Sequence, residues 1–293
     1  DAKATAIYSS AYGYGTQAAG NRSSAYGVDA KAAGNSSSAY GDNAQAAGNR
    51  SSAYGYGAVA SRDFSSAYGA GAKAMNDSSS AYGYNAEATG SVSSAYGHNA
   101  QAKGEYSSAY GYYAVASGDR SVAYGNRAKA WEKTSSAFGS GAEAKVANGV
   151  ALGAGSIADR NTTSAGVYVP VGASRTAVIA TVKGSNYGVV SIGSGSFTRQ
   201  LAGVAAGIAD TDAVNVSQLK ALDGITVKYE NEKKNAVTLG GSVTAPPVTL
   251  KNVADADLSE SSSEAVTGKQ LFATNQNISA VSGDLNQKIN NIS

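Results

Sequence analysis

From Ser9 to Gly153 the chain repeats one short pattern of small, polar and aromatic positions without ever slipping phase. Ala-Tyr-Gly recurs with its glycine at Gly13, Gly27, Gly41, Gly55, Gly69, Gly83, Gly97, Gly111 and Gly125, and the series continues as Ala-Phe-Gly at Gly139 and Ala-Leu-Gly at Gly153. Every step is 14 residues over eleven copies. Glycine-rich repeats with β-promoting Tyr do not hold helix, so a heptad coiled coil is excluded here. A 14-residue unit suits one coil of a β-solenoid: two short strands and two turns.

One copy, Ser23 to Gly34, gives the expected geometry. Strand side chains alternate, so Ser23, Ala25 and Gly27 share one face of a first strand, and Ala30 and Ala32 share one face of a second. These positions stay small in nearly every copy, which implies a thin interior between two close strands. Ser24 and Tyr26 point the other way. So does Lys31, whose equivalents are Gln17, Gln45, Val59, Lys73, Glu87, Gln101, Val115, Lys129 and Glu143, a mostly polar, solvent-facing series. The aromatic column holds Tyr12, Tyr26, Tyr40, Tyr54, Tyr68, Tyr82, Tyr96, Tyr110 and Tyr124, then Phe138 and Leu152. Rings stacked about 4.8 Å apart form a large apolar stripe that soluble monomers rarely leave open. Burial of the stripe in self-association is the expectation. Eleven coils span about 50 Å.

After Gly153 the period fails. Residues 157–198 carry strand-like runs, Thr176 to Val182 and Gly188 to Ile192, expected as a β-rich insert that covers the end of the stack. Further on, Thr211 or Asp212 is placed to cap a helix carrying Val214, Leu219 and Leu222. A weak echo follows over 252–271, with β-prone segments at Val227 to Tyr229 and Val237 to Gly241 between them. Beyond Leu271 the apolar positions Ile278, Val281, Leu285, Ile289 and Ile292 are spaced by three and four, as in a coiled-coil seam.

Composition sharpens this picture. The chain has 293 residues, 36 Gly and 19 Tyr, only 15% charged residues, and no Leu before Leu152. The first half therefore lacks the large aliphatic side chains that normally fill a core. Disorder fits poorly with Tyr at fixed intervals. Net charge is +2, which does not suggest nucleic acid, and the absence of Cys excludes a disulfide framework or thiolate metal site. No signal peptide and no run of about 18 apolar residues is seen.

Chemistry finds few candidates. His98 follows Gly97 in a turn and reads as a solvated loop residue rather than a base or ligand. Glu87 and Glu143 do not form a close pair, and Asp210, Asp212 and Asp223 lack a calcium-loop spacing. Neither catalysis nor a cofactor is expected. Binding is better served: Tyr14, Tyr56, Tyr84, Tyr112 and Tyr113 follow the coil glycine in the turns, and surface aromatics anchor protein or glycan partners. Arg22, Arg50 and Arg62 add charge in the opposite loops.

These residues resemble the trimeric autotransporter adhesins, the YadA-like surface proteins of Gram-negative bacteria. The 14-residue copies look like that family's head repeat. Val122-Ala123-Tyr124-Gly125 and Val150-Ala151-Leu152-Gly153 come closest, while most copies carry Ser before the Ala and Tyr in place of Ile. Val204-Ala205-Ala206-Gly207 followed by Asp210, Thr211, Asp212, Ala213, Val214, Asn215, Val216, Ser217, Gln218 and Leu219 is similar to the family's neck motif. The resemblance implies a mainly β fold: a homotrimeric left-handed parallel β-roll over 1–156, a β-rich head insert over 157–198, and a neck over 199–222. It further implies a small β-rich connector over 223–251, a second neck-like segment over 252–275 and the start of a trimeric coiled coil over 276–293. The implied role is a cell-surface adhesin head that attaches to host matrix, cell receptors or other bacteria through a protein or glycan receptor. Membrane contact is implied only through an outer-membrane anchor outside these residues. A structural spacer that displays a separate tip is the alternative, and light scattering at three times the chain mass is the first check on assembly.

Overall fold

A computed structural model describes residues 1–293 except 164, 166, 170–173, 184–186, 231, 232, 241, 243 and 293, so Gly241 and Ser293 of the expected segments lie outside the described residues. The chain divides into two compact units, Asp1–Asp212 and Ala213–Ser293.

The first unit is a β-solenoid of parallel coils. Three-residue strands from Ser10–Tyr12 to Val150–Leu152 pair in parallel into one sheet, and two-residue strands from Lys3–Ala4 to Ile157–Ala158 pair into the other. Register is strictly residue to residue 14 on: Ser66 pairs with Ser80, Ala67 with Ala81 and Tyr68 with Tyr82. The chain climbs one rung per coil, so each backbone amide bonds a neighbouring coil, as Gly41 N–H does to the Tyr26 carbonyl at 2.8 Å and Lys31 N–H to that of Ala44 at 2.8 Å.

The interior is as thin as the small positions predict. Ala25, Ala30, Ala32 and their equivalents are fully buried, alongside Ser23, Ser37 and their equivalents. Thr16 is the largest fully buried side chain among the described residues. Several interior serines satisfy their hydroxyl on the carbonyl three residues back, as Ser37 Oγ does on Gly34 at 2.6 Å. The repeat glycine is dictated by geometry: Gly69 sits at φ +132°, and a Cβ there would lie 2.4 Å from the Gly83 carbonyl oxygen. No side chain fits that approach, nor that backbone region.

The end of the stack departs from expectation. Thr176–Val182 is not a strand; residues Arg175–Ile179 form helix α1, N-capped by Ser174. Only the Gly188–Ile192 run contributes as expected, its Val190–Ser191 pairing in parallel with Val150–Leu152 as the twelfth strand of the three-residue sheet. The β-branched content of the first run favours strand, yet the Ser174 cap lets it coil into one helical turn. Arg199 closes the same end. Its guanidinium donates to Ser156 Oγ at 2.9 Å, to the Ala154 carbonyl at 2.5 Å and to the Ile192 carbonyl, and lies 4.7 Å from the Phe197 ring centroid. One side chain thus satisfies acceptors that a further coil would otherwise meet.

In the second unit, helix α2 spans Val216–Ile225 and helix α3 spans Gly268–Asn290. The cap of α2 is Asn215, not Thr211 or Asp212, and Val214 precedes the helix. Asn215 accepts from Gln218 N–H while Gln218 returns the bond, a reciprocal capping box. Among the described residues, the β-prone segments between the helices meet at one bridge, Tyr229 to Val237.

Candidate binding surface

Two aromatic arrays follow from the coil geometry, one on the three-residue sheet and one in the turns. On the sheet, side chains of paired residues stand directly above one another. Tyr26, Tyr40, Tyr54, Tyr68, Tyr82, Tyr96 and Tyr110 therefore form a continuous ladder with centroids 4.7–4.9 Å apart and planes within 10°. The ladder loosens at its ends, where Tyr12–Tyr26 and Tyr110–Tyr124 open to 6.1 Å and about 32–33°. Neighbours cover ring faces, so the middle rungs are half-buried, whereas Tyr12, Tyr124, Phe138 and Leu152 are exposed. Burial pushes the Tyr96 phenol above its ordinary value. The phenols of Tyr82 and Tyr110 add to this, against a hydrogen bond from Ser80.

The turn array is uneven. Residues that follow the coil glycine fall into columns of their own, because turn amides also bond one coil on: Tyr113 N–H donates to the His98 carbonyl at 2.9 Å and Arg127 N–H to that of Tyr112 at 2.7 Å. Tyr84, His98 and Tyr112 occupy successive rungs of one column. Their centroids are 5.0 and 5.2 Å apart, and Tyr113 meets Tyr112 edge-on at 4.5 Å. Tyr14 and Tyr56 are exposed but stand apart, since their column neighbours are Val28, Asp42 and Ala70. The structure thus brings three of the five turn tyrosines together and leaves two isolated. His98, set aside as a lone loop residue, is the ring that joins them; its 14-residue offset from Tyr84 and Tyr112 was the signal in the sequence.

Beside this cluster, charge collects on the two-residue sheet. Glu143 pairs with Lys129 at 3.1 Å and Lys145 at 3.0 Å. Partial burial pushes its carboxyl up, but hydrogen bonds and charge from Lys145 and Lys129 outweigh this and hold it below the usual carboxylate range. Lys129 also lies 5.7 Å from the Trp131 ring centroid. In the opposite turns Arg22 and Arg50 adopt positive φ, and Arg50 sits 5.4 Å from the Phe64 centroid. Among the described residues no three His, Cys, Asp or Glu side chains are grouped to hold a metal ion, and no helix is long and apolar enough to cross a membrane.

The stretches that lead into α2 and α3 are each tied by an aspartate. Asp212 accepts from the N–H groups of Ile208 and Ala209 at 2.9 and 3.0 Å, which lower its pKa. Asp255 accepts from Thr267 Oγ1 at 2.8 Å and Lys269 at 3.2 Å, with the same effect. Thr267 and Gln270 cap α3 reciprocally, as Asn215 and Gln218 cap α2. Each helix carries an exposed apolar stripe: Val216, Leu219 and Leu222 on α2, and Leu271, Ile278, Val281, Leu285 and Ile289 on α3.

A family model described as the YadA head domain repeat matches residues 32–58, 46–72, 88–114, 102–128 and 133–156, and one described as the coiled stalk of trimeric autotransporter adhesin matches 200–238 and 249–293. The chain is 36% identical over 123 residues to the autotransporter adhesin BadA of Bartonella henselae, covering 36% of this chain and 4% of that protein. It is 40% identical over 89 residues to the autotransporter adhesin BtaE of Brucella suis biovar 1 (strain 1330), covering 23% of this chain and 12% of that protein. The chain thus spans a small part of the length of these relatives. A solved structure, the collagen-binding domain of the Yersinia adhesin YadA, aligns at 26% identity over 75% of this chain and 84% of that one, with a TM-score of 0.29.

Proposed function

The chain belongs to the YadA-like trimeric autotransporter adhesins, and on that footing we propose that its β-solenoid is an adhesive head, displayed at the bacterial surface, that binds an extracellular receptor through its turns. In this reading residues 1–156 are the head, 157–198 its closing insert, and 199–222 and 252–275 two necks that clamp three chains. Residues 223–251 connect the necks, and 276–293 begin the coiled coil. The ladder from Tyr12 to Leu152 is the seam between protomers, and Asp210, Thr211, Asp212, Val214, Asn215, Gln218 and Leu219 form the first neck. An outer-membrane anchor elsewhere in the protein holds the fibre. The head has no catalytic role and needs no cofactor.

One observation carries the adhesive reading: the turn aromatics are grouped. A spacer has no use for exposed rings, and repeat drift scatters them, yet Tyr84, His98, Tyr112 and Tyr113 are in ring contact over three consecutive coils. Rigid, exposed aromatics on a preorganised backbone are the usual anchors of recognition. The test is adhesion of the purified chain to matrix proteins and to cells, with and without Tyr112→Ser and Tyr113→Asn. Asn occupies the Tyr113 backbone position in other coils, at Asn43, Asn85 and Asn99, all with positive φ. Adhesion is expected to fall about ten-fold or more with unchanged thermal stability, as for loss of an interface hot spot. Wild-type adhesion by the double variant leaves the spacer alternative standing.

A further inference from the structure

We propose that the trough beside Tyr112 and Tyr113 binds an anionic polysaccharide, one whose sugar rings carry carboxylate or sulfate groups. The inference rests on the adhesive reading and names its ligand class. The trough exists because the column of Tyr113 runs next through Arg127 and then Gly141, where no side chain fills the space. Tyr112 and Tyr113 line one part of it and Glu143 another, with Val115, Arg127 and Lys129 between. Both rings are a little over two-fifths exposed. They are held on backbone already fixed by coil-to-coil hydrogen bonds.

Charge then selects the ligand. Lys129 and Lys145 both spend contacts on Glu143, so the three groups together keep one positive charge. Arg127 is exposed, and no hydrogen bond or ion pair engages its guanidinium among the described residues, which makes the patch doubly positive. An arginine fork matches carboxylate and sulfate oxygens in a bidentate manner. On the side away from the tyrosines, the Trp131 ring centroid lies 5.7 Å from Lys129 Nζ. The cations are therefore flanked by aromatic surface on both sides. The apolar C–H face of a pyranose suits such rings while its anionic substituent meets the cations.

An extended acidic peptide fits less well. Both sheets spend their amides and carbonyls on the next coil along the whole stack, so a peptide finds no free edge there to extend. The trough is also open, without the enclosed pocket that buries a peptide anchor.

The experiment is calorimetric titration of the whole chain with four size-matched probes: a sulfated uronate oligosaccharide, an unsulfated uronate oligosaccharide, a neutral oligosaccharide and an oligoglutamate peptide. At least one charged sugar is expected to bind ten-fold or more tighter than the neutral sugar and the peptide, and to weaken as salt rises. The two charged arms identify which anionic group is preferred. Arg127→Asn, and separately Tyr112→Ser with Tyr113→Asn, should each lose at least ten-fold, while Val28→Ser, an exposed turn side chain outside the cluster, should bind as wild type. Equal binding of the peptide or the neutral sugar overturns the proposal, and so does indifference to the variants. A chain that adheres to matrix protein but ignores every sugar overturns it and leaves the adhesive reading intact; a chain that binds neither defeats both.

Discussion

At the scale of single residues, the same side chain has different physics at different heights in the stack. Tyr96 sits mid-ladder, and its phenol is pushed up by burial and then by the phenols on either side. A group whose pKa is raised by folding disfavours the folded state once the unfolded chain begins to ionise. Its contribution is therefore complete below the ordinary phenol value, about 10, and is lost as pH climbs from there through the higher folded value. Tyr96→Phe tests this without breaking the column, because Phe138 already occupies an equivalent position. The substitution forfeits one hydrogen bond to Ser80, so it should cost about 1 kcal/mol or less at neutral pH. In alkaline thermal melts the variant should lose less stability than wild type. A parallel alkaline loss in the two proteins would show that ionisation at this rung is not coupled to folding.

At the scale of elements, the coil is the unit that sequence specifies, and whole coils are interchangeable. Residue i pairs with residue i+14 through the repeats, and each repeat rung presents the same alanine interior. Deleting residues 70–83 should rejoin Gly69 to Tyr84, so that Ala95 pairs with Ala67, and leave a shorter solenoid with an unaltered circular dichroism shape. Deleting thirteen residues instead slips the pairing by one position and turns alanines outward. That variant is expected not to fold cooperatively; a normal melting transition would mean that register is not what holds the stack.

The same logic explains what was legible in the sequence. Eleven copies of one phase-locked unit disclosed the two sheets, the alanine interior and the ring ladder, because in a solenoid the repeat is the tertiary structure. Where the repeat stops, local chemistry competes with pattern. Thr176 to Val182 has the composition of a strand, yet Ser174 caps it as a helical turn, and the α2 cap falls at Asn215 through a reciprocal bond with Gln218. The link between Tyr84 and Tyr112 through His98 was present as spacing, but it is hidden when rings are sorted by residue type.

At the scale of the whole molecule, the question is where its cohesion comes from. A buried alanine contributes far less apolar area than a buried Leu or Phe, and among the described residues nothing larger than Thr16 is fully buried. The large apolar groups are instead on the outside: the ladder on one sheet, and the stripes of α2 and α3. Burial of those surfaces between chains is the largest stabilisation available to this sequence, so assembly and folding should be one event. Light scattering is then expected to give three times 29.2 kDa, with a melting temperature that rises with protein concentration. Tyr68→Lys with Tyr82→Lys places two charges in the middle of the proposed seam, where each unpaired ammonium costs several kcal/mol on burial. The double variant should fail to assemble and lose its cooperative transition together. If it melts as a 29.2 kDa monomer at the wild-type temperature, the alanine interior is sufficient alone and the ladder is not the seam.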